Sequence, residues 1–128
     1  MAYVYTLVDE LEDSPLLGSH QCVALVQIKA GAPHTSAWRE GASVRGSLTL
    51  ARGTAIATFV DGKYPSHAHG NHAALYLSQS AAGIAVMDQW NKKNKTHVSQ
   101  RMIPFRGKDK KGHYLTPSDN ADAFSVIE

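Results

Sequence analysis

Residues 19–30 read SHQCVALVQIKA, a polar start followed by a nearly continuous apolar run. This run, with turn residues behind it, predicts an apolar helix of about nine or ten residues. Ser19 is a plausible N-cap, because its hydroxyl can accept from the first free backbone N–H groups. Gly31 and Pro33 follow and are expected to end the helix. The helix is therefore the first element of the predicted fold whose start and end the sequence indicates.

Strand-like patterns dominate the chain after the helix. The predicted strands are Thr54–Val60, 72–78, 83–90, 98–105 and 122–128. The short link Gln79–Ala82 predicts a β-hairpin, and Pro104 marks a strand edge or end. Before the strands, Thr35 or Ser36 is expected to cap a short turn over the sequence AWRE, ended by Gly41. One helix followed by mostly antiparallel strands predicts an α+β fold with the helix packed on one sheet face.

The length and composition predict one globular domain. The chain has 128 residues and a mass of 13.8 kDa, which fits a single domain over residues 1–128. No apolar run approaches the roughly 18 residues that a membrane span needs, so no span is expected. The acidic N-terminal stretch MAYVYTLVDELEDSP has no basic segment, so no secretory signal is expected. The one cysteine excludes an internal disulfide and a cysteine-based zinc finger.

The net charge of +2 is spread unevenly along the chain. Between Lys92 and Lys111 there are eight basic residues and one acidic residue, so the remainder of the chain is acidic. A solvated basic loop is the simple interpretation, and a patch that attracts an anionic polymer is the sharper one. Nucleic acid is not an expected partner, because this run lacks interleaved aromatic residues and the chain has no nucleic-acid motif.

Cys22 is the first candidate for a catalytic residue. In the predicted helix it lies in the first turn, where backbone N–H groups and the helix dipole lower a thiol pKa. Because a thiolate is a nucleophile, this position suits a reactive cysteine. The alternative is a buried, inert cysteine that belongs to the apolar run, and position alone does not separate the two.

His72 is the second candidate, because it opens a predicted strand directly after Gly70 and Asn71. At that rim of the sheet, an imidazole can face the start of the packed helix and take a proton from its thiol. The alternative is a turn histidine without a function. With seven histidines in the chain, a single one is weak support.

An imidazole that acts as a base needs a third group to orient it. Residues that face each other across a hairpin have numbers with a constant sum. A link centred at about 80 to 81.5 places the partner of His72 at about 88 to 91. This window reads Asp88-Gln89-Trp90-Asn91. Asp88 is the best acceptor because it is charged, and Gln89 and Asn91 remain alternatives.

The segment His67-Ala68-His69-Gly70-Asn71-His72 offers a competing site. Three imidazoles at this spacing resemble part of a zinc-hydrolase motif with an open position for water. No aspartate follows within the loop and no second ligand cluster stands out, so no metal or other cofactor is expected. His67 and His69 are instead expected beside a substrate groove. Trp38 and Trp90 are expected in the core or in the groove wall.

The blocks around Cys22 and His72 resemble the CHAP and NlpC-type cell-wall peptidases. They place Gln21-Cys22-Val23 at a helix start, His72 at a strand start, and an acid with Gln or Asn at the end of the next strand. The chain is most similar to the type VI secretion amidase effectors, and within them to the second group. The stretches that carry this resemblance cover most of residues 18–128: GSHQCVALVQ, AWREGASVRG, GTAIATFVDGKY, GNHAALYL, VMDQW and SDNADAFSVIE.

The resemblance implies a compact papain-like fold and an amidase that cuts the peptide stems or cross-links of Gram-negative peptidoglycan. It implies Cys22 as the nucleophile, His72 as the general base and Asp88 as the residue that orients His72. Gln89 or Asn91 is the alternative for the third role, since that residue varies among these peptidases. The backbone N–H of Cys22 and the side chain of Gln21 are candidates for the oxyanion hole.

The resemblance further implies an antibacterial toxin made in the bacterial cytoplasm and carried by the type VI secretion machinery into the periplasm of a rival cell. A cognate immunity protein would protect the producer. The basic run from Lys92 to Lys111 is expected to bind carboxylates of the stem peptides. Two alternatives stay open: an inactive module of the same fold that binds cell wall or a protein, and, with less support, a zinc hydrolase using His67, His69 and His72.

Overall fold

The helix and strands are described from a computed structural model that covers residues 2–65, 67 and 69–128. In chain order they are α1 (Cys22–Ala30), β1 (Glu40–Ser43), β2 (Ala55–Thr58), β3 (Ala73–Gln79), β4 (Gly83–Asp88), β5 (Ser99–Pro104) and β6 (Phe124–Ile127). Short 3-10 turns span Val8–Leu11, Thr35–Ala37, Pro117–Asp119 and Ala121–Ala123. Met1, Ser66 and Ala68 lie outside the described residues.

Helix α1 forms within the predicted apolar run. The N-cap is Gln21, so the prediction of Ser19 is wrong: the Ser19 hydroxyl accepts from the backbone N–H of Gln21 at 3.4 Å and lies before the helix. The helix ends as predicted at Gly31, whose φ of 77° suits a residue without a β-carbon, and whose N–H donates to the Val26 carbonyl. Cys22 is therefore the first helical residue. Within the described residues no helix is long and apolar enough to span a membrane.

The strands form one antiparallel sheet in the order β1-β6-β2-β3-β4-β5. Strands β2, β4, β5 and β6 correspond to the predicted strands with shorter bounds, and β3 is displaced by one residue from the predicted 72–78, so that Gln79 belongs to the strand rather than to the link. Strand β1 was not foreseen, and the predicted turn over AWRE is wrong. The turn lies earlier, over Thr35–Ala37 with His34 as its N-cap, because Glu40 already pairs with Ile127 of β6. The α+β class with one helix and a mostly antiparallel sheet is confirmed.

The core has one apolar cluster on each face of the sheet. On one face, Leu25 and Val26 of α1 pack against a cluster that includes Leu75 of β3. On the other face, Tyr76 of β3 packs with Phe124 of β6 in a second cluster that the loops before β2 and before β6 complete. Helix α1 is thereby held against β3, with its first residue beside the start of that strand.

Candidate active site

Cys22 occupies the helix start, where unpaired backbone N–H groups point outward. The thiol is half-buried beside β3 and receives a hydrogen bond from the backbone N–H of Ala73. Burial alone would raise the pKa of the Cys22 thiol. The hydrogen bond and charge of His72 outweigh burial, so this pKa lies below its ordinary value. The position therefore favours a thiolate.

His72 is buried at the residue before β3 begins. Its backbone is fixed by Thr58 of β2, since the His72 N–H donates to Thr58 Oγ1 and the His72 carbonyl accepts from the Thr58 N–H, each at 3.0 Å. Its Nε2 lies 2.7 Å from Asp88 Oδ2, which leaves Nδ1 for the Cys22 thiol. Burial would lower the pKa of the imidazole, yet the bonds to Asp88 and Cys22 raise it to about 9.

Asp88 ends β4 and is fully buried. The β3–β4 register, continued to the strand ends, places Asp88 opposite Ala74 and diagonal to His72 on the same face of the sheet. The predicted window of about 88 to 91 thus contains the residue that bonds His72. That residue is Asp88, the first of the four. Asp88 Oδ2 also accepts from Arg101 Nε at 2.7 Å, whereas Oδ1 has no hydrogen-bond partner among the described residues.

Gln89, an alternative for the third residue, is fully buried with its amide used elsewhere. Its Nε2 donates to the carbonyls of Leu17 at 3.0 Å and Gln21 at 2.8 Å, and its Oε1 accepts from the Leu17 N–H at 2.9 Å. Gln89 therefore ties the end of β4 to the segment that leads into the helix. Asn91, the other alternative, is exposed and lines the groove described below.

Tyr64 is part of the site and was missed by the sequence analysis. Its hydroxyl lies 3.8 Å from Cys22 Sγ and 3.1 Å from the side-chain amide of Asn71, and its ring meets the Trp38 ring edge-on at 4.8 Å. Burial, followed by the nearby Cys22 charge, raises the pKa of Tyr64. The stretch GTAIATFVDGKY includes this tyrosine, but nothing in its pattern indicates that the following connection folds back onto the helix start.

An open groove of about 720 Å³ passes over the thiol and the imidazole. It is lined by Gln21, Cys22, Val23, Thr35, Tyr64, His67, His69, Gly70, Asn71, His72, Trp90, Asn91, Lys92, Arg101, Ser118 and Asp119. Of the candidate groove residues, His67, His69 and Trp90 therefore lie in its wall. Trp38 does not: it is a core residue, 3% exposed, and its Nε1 donates to the Pro33 carbonyl at 2.8 Å. The Trp38 ring packs in the core against the Tyr64 ring and is not part of the groove wall.

The histidines of the zinc alternative are not arranged as a ligand set. His72 is buried on Asp88, while His67 and His69 are exposed. In residues 2–65, 67 and 69–128 no group of three His, Cys, Asp or Glu side chains is placed to hold a metal ion. The zinc-hydrolase alternative therefore lacks ligands in this part of the chain.

Fold and site together define the class of protein. A helix that begins at a cysteine, packed on an antiparallel sheet that presents a histidine and a buried acid, is the arrangement of the compact papain-like fold. A family model described as "Domesticated amidase effector 2" matches residues 9–127. The chain therefore belongs to the amidase effector 2 family, the second group of the type VI secretion amidase effectors. The predicted family is confirmed.

Individual relatives agree with this assignment. The chain is 43% identical over 133 residues to a type VI secretion amidase effector 2 protein of Salmonella typhi, with all of both chains covered. It is 36% identical over 112 residues to domesticated amidase effector 2 of Ixodes scapularis, covering 84% of this chain and 70% of that protein. The solved structure of type 6 secretion amidase effector 2 (Tae2) superposes with a TM-score of 0.91 at 42% identity, covering 98% of this chain and 94% of that one. The chain is accordingly an amidase effector.

Proposed function

We propose that this amidase effector is a cysteine hydrolase that cuts amide bonds in the peptide stems or cross-links of Gram-negative peptidoglycan. The observation that carries the proposal is the Cys22–His72–Asp88 relay at the helix start, inside an open groove. An elongated peptide strand fits an open groove better than a closed pocket. The family membership supports the amide as the bond that is cut.

The proposed reaction begins with a thiolate at Cys22 and an imidazolium at His72. The Sγ electron pair attacks the scissile carbonyl carbon, and the C=O π electrons move to oxygen. The backbone N–H of Cys22 and the Gln21 side chain are the donors proposed for this oxyanion, and such a donor lowers the barrier by roughly 3 kcal/mol. The C–N bond then breaks as the His72 imidazolium gives its proton to the leaving amine, which leaves a thioester.

Hydrolysis of the thioester restores the site. His72, now neutral, takes a proton from water as the water oxygen attacks the thioester carbonyl carbon. The C–S bond breaks, a carboxylic acid product is released, and the thiolate and imidazolium are both regenerated. Asp88 keeps Nε2 occupied throughout, so that Nδ1 faces the sulfur.

Membership of the family supports the following setting. The effector is made in the cytoplasm of the producing bacterium and is carried by the type VI secretion machinery to the periplasm of the target cell. A cognate immunity protein neutralises the effector inside the producing cell. These partners are expectations for this chain.

The test is digestion of purified Gram-negative sacculi by the wild type and by Cys22→Ala, with products identified by mass spectrometry. Ser78→Ala, an equally small change at an exposed position of β3, is the matched control. We expect new stem-peptide fragments from the wild type and the control, and none from Cys22→Ala, with similar thermal unfolding for all three proteins. The fragment masses name the bond.

Two outcomes would contradict the proposal. Fragments released by Cys22→Ala at the wild-type rate would exclude thiol catalysis. No fragments from a folded wild type would favour a module of the same fold that binds cell wall or a protein without cutting it.

A further inference from the structure

One carboxylate oxygen in the site serves two cations. Asp88 Oδ2 is 2.7 Å from His72 Nε2 and 2.7 Å from Arg101 Nε. In the β4–β5 register Ser99 lies opposite Asp88 and Arg101 lies opposite Val86, so Arg101 reaches Asp88 along a diagonal of the same sheet face. Arg101 therefore contacts the proposed catalytic pair from a strand that contributes no other residue to it.

The guanidinium of Arg101 is held on its far side as well. Its Nη1 donates to Asp119 Oδ1 at 3.1 Å, and its Cζ lies 5.3 Å from the centre of the Trp90 ring. Asp119 is fixed in turn by Arg106, whose Nη2 lies 2.7 Å from Asp119 Oδ2 and whose Nε donates to the Asp119 carbonyl at 2.7 Å. Carboxylate and guanidinium groups alternate along the four side chains Asp88, Arg101, Asp119 and Arg106. The Arg101 guanidinium is therefore held in one position.

A guanidinium is charged at every pH at which the protein is folded, whereas the imidazolium can give up its proton. Where both cations share one carboxylate oxygen, the permanently charged guanidinium neutralises part of the carboxylate charge and also repels the imidazolium. Within the described residues, Cys22 from α1 and Asp88 from β4 act directly on the His72 imidazole. Tyr64, from the connection between β2 and β3, lies beside Cys22, and Arg101 from β5 contacts Asp88 with Asp119 behind it. Arg101 is the cation in this set that opposes the imidazolium.

We propose that Arg101 is a positioning residue for the His72–Asp88 pair: its fixed charge offsets part of the Asp88 charge and so keeps the His72 imidazolium acidic enough to release its proton to the leaving amine. This role rests on the proposed function, because it assumes that His72 is the proton donor. Its electrostatic part concerns the folded protein alone and is measurable without substrate.

The test is an NMR titration of the His72 imidazole, assigned with a His72→Asn variant, in the wild type, Arg101→Gln and Arg101→Lys. Arg101→Gln removes the charge and keeps an amide donor, so we expect the midpoint of the His72 titration to rise by about 1 pH unit. Arg101→Lys restores the charge and should leave the midpoint near that of the wild type. Arg106→Gln removes a charge from the far side of Asp119 and should shift the midpoint little.

A second measurement uses the only thiol of the chain. The rate of alkylation of Cys22 by iodoacetamide should show the same upward shift of its alkaline inflection in Arg101→Gln. A merely structural role would lower thermal stability without raising either midpoint. A His72 midpoint in Arg101→Gln that equals or falls below the wild-type value overturns the proposal. Because no peptidoglycan is present, that result is independent of whether sacculi are digested.

Discussion

The hydroxyl of Tyr64 shows how a single atom can tune the thiol. The Asn71 amide is satisfied when its nitrogen donates to the carbonyls of His67 at 2.8 Å and His69 at 3.3 Å and its oxygen accepts from the Tyr64 hydroxyl at 3.1 Å. When the thiolate of Cys22 forms, the same hydroxyl lies 3.8 Å away and can donate to sulfur instead. Tyr64 thus links the state of the thiol to the loop above it.

The change Tyr64→Phe removes this hydroxyl and keeps the ring against Trp38. The loss of one weak hydrogen bond to the thiolate should raise the pKa of Cys22, so that alkylation slows about threefold at pH values below that pKa and changes little above it. The measurement is the rate of iodoacetamide alkylation against pH, with Tyr114→Phe as a control remote from the thiol. Identical profiles for Tyr64→Phe and the wild type would show that the hydroxyl does not act on the thiol.

Among the structural elements, the junction between β4 and the helix start is held by one buried amide. Gln89 pairs with backbone groups of Leu17 and Gln21 through both of its amide atoms. The opposite end of β3 has a similar arrangement, where Gln79 donates to the carbonyls of Val44 and Ser47 and accepts from the Gly46 N–H. Both amides hold neighbouring backbone segments in place, Gln89 near the Cys22 thiol and Gln79 at the other end of the strand.

This symmetry gives a matched pair of variants, Gln89→Glu and Gln79→Glu. A carboxylate only accepts, so each change leaves two carbonyls facing a negative charge and should lower the free energy of unfolding by about 1 to 3 kcal/mol. Only Gln89→Glu should also change the alkylation rate of Cys22, because only that amide holds the segment before the helix. Denaturant unfolding and alkylation kinetics measure the two effects. Equal alkylation rates in both variants would mean that the segment keeps its place without Gln89.

The elements also show which features could be read from the chain. Helix α1 was predictable because an apolar run ended at a residue able to take a positive φ, and the β3–β4 hairpin because its polar link lay between two apolar runs. Strand β1 was not, since its residues are mostly exposed and its register depends on β6, more than eighty positions later. Gln89 and Tyr64 were missed as supports of the thiol for the same reason: each acts on a segment distant in sequence.

At the scale of the whole molecule, the basic run from Lys92 to Lys111 divides by position. Lys92 and Arg101 line the groove, whereas Lys110 and Lys111 lie outside its wall in the exposed loop before the Pro117–Asp119 turn. The stem peptides of the proposed substrate carry carboxylates, so exposed cations along the groove should attract them over a distance set by salt.

We expect binding of the inactive Cys22→Ala protein to sacculi to weaken as salt rises from about 0.05 to 0.5 M, because screening shortens the range of these charges. Adding Lys92→Gln to Cys22→Ala should weaken binding at low salt more than adding Lys111→Gln, which removes the same charge away from the groove. Co-sedimentation with sacculi measures both. Equal losses for the two lysines would mean that net charge alone drives the binding.

The interior place of β3 in the sheet affects how long the effector stays active in the presence of proteases. This strand has neighbours on both sides, and the proposed base stands at its start, while the two edge strands lie further out. Interior strands exchange their amide hydrogens mainly through opening of the entire domain, whereas edges fray at little cost. Cleavage at the frayed edge strand β1 would therefore leave the proposed catalytic residues in place, and the working lifetime of the effector would be set by the rate of global unfolding.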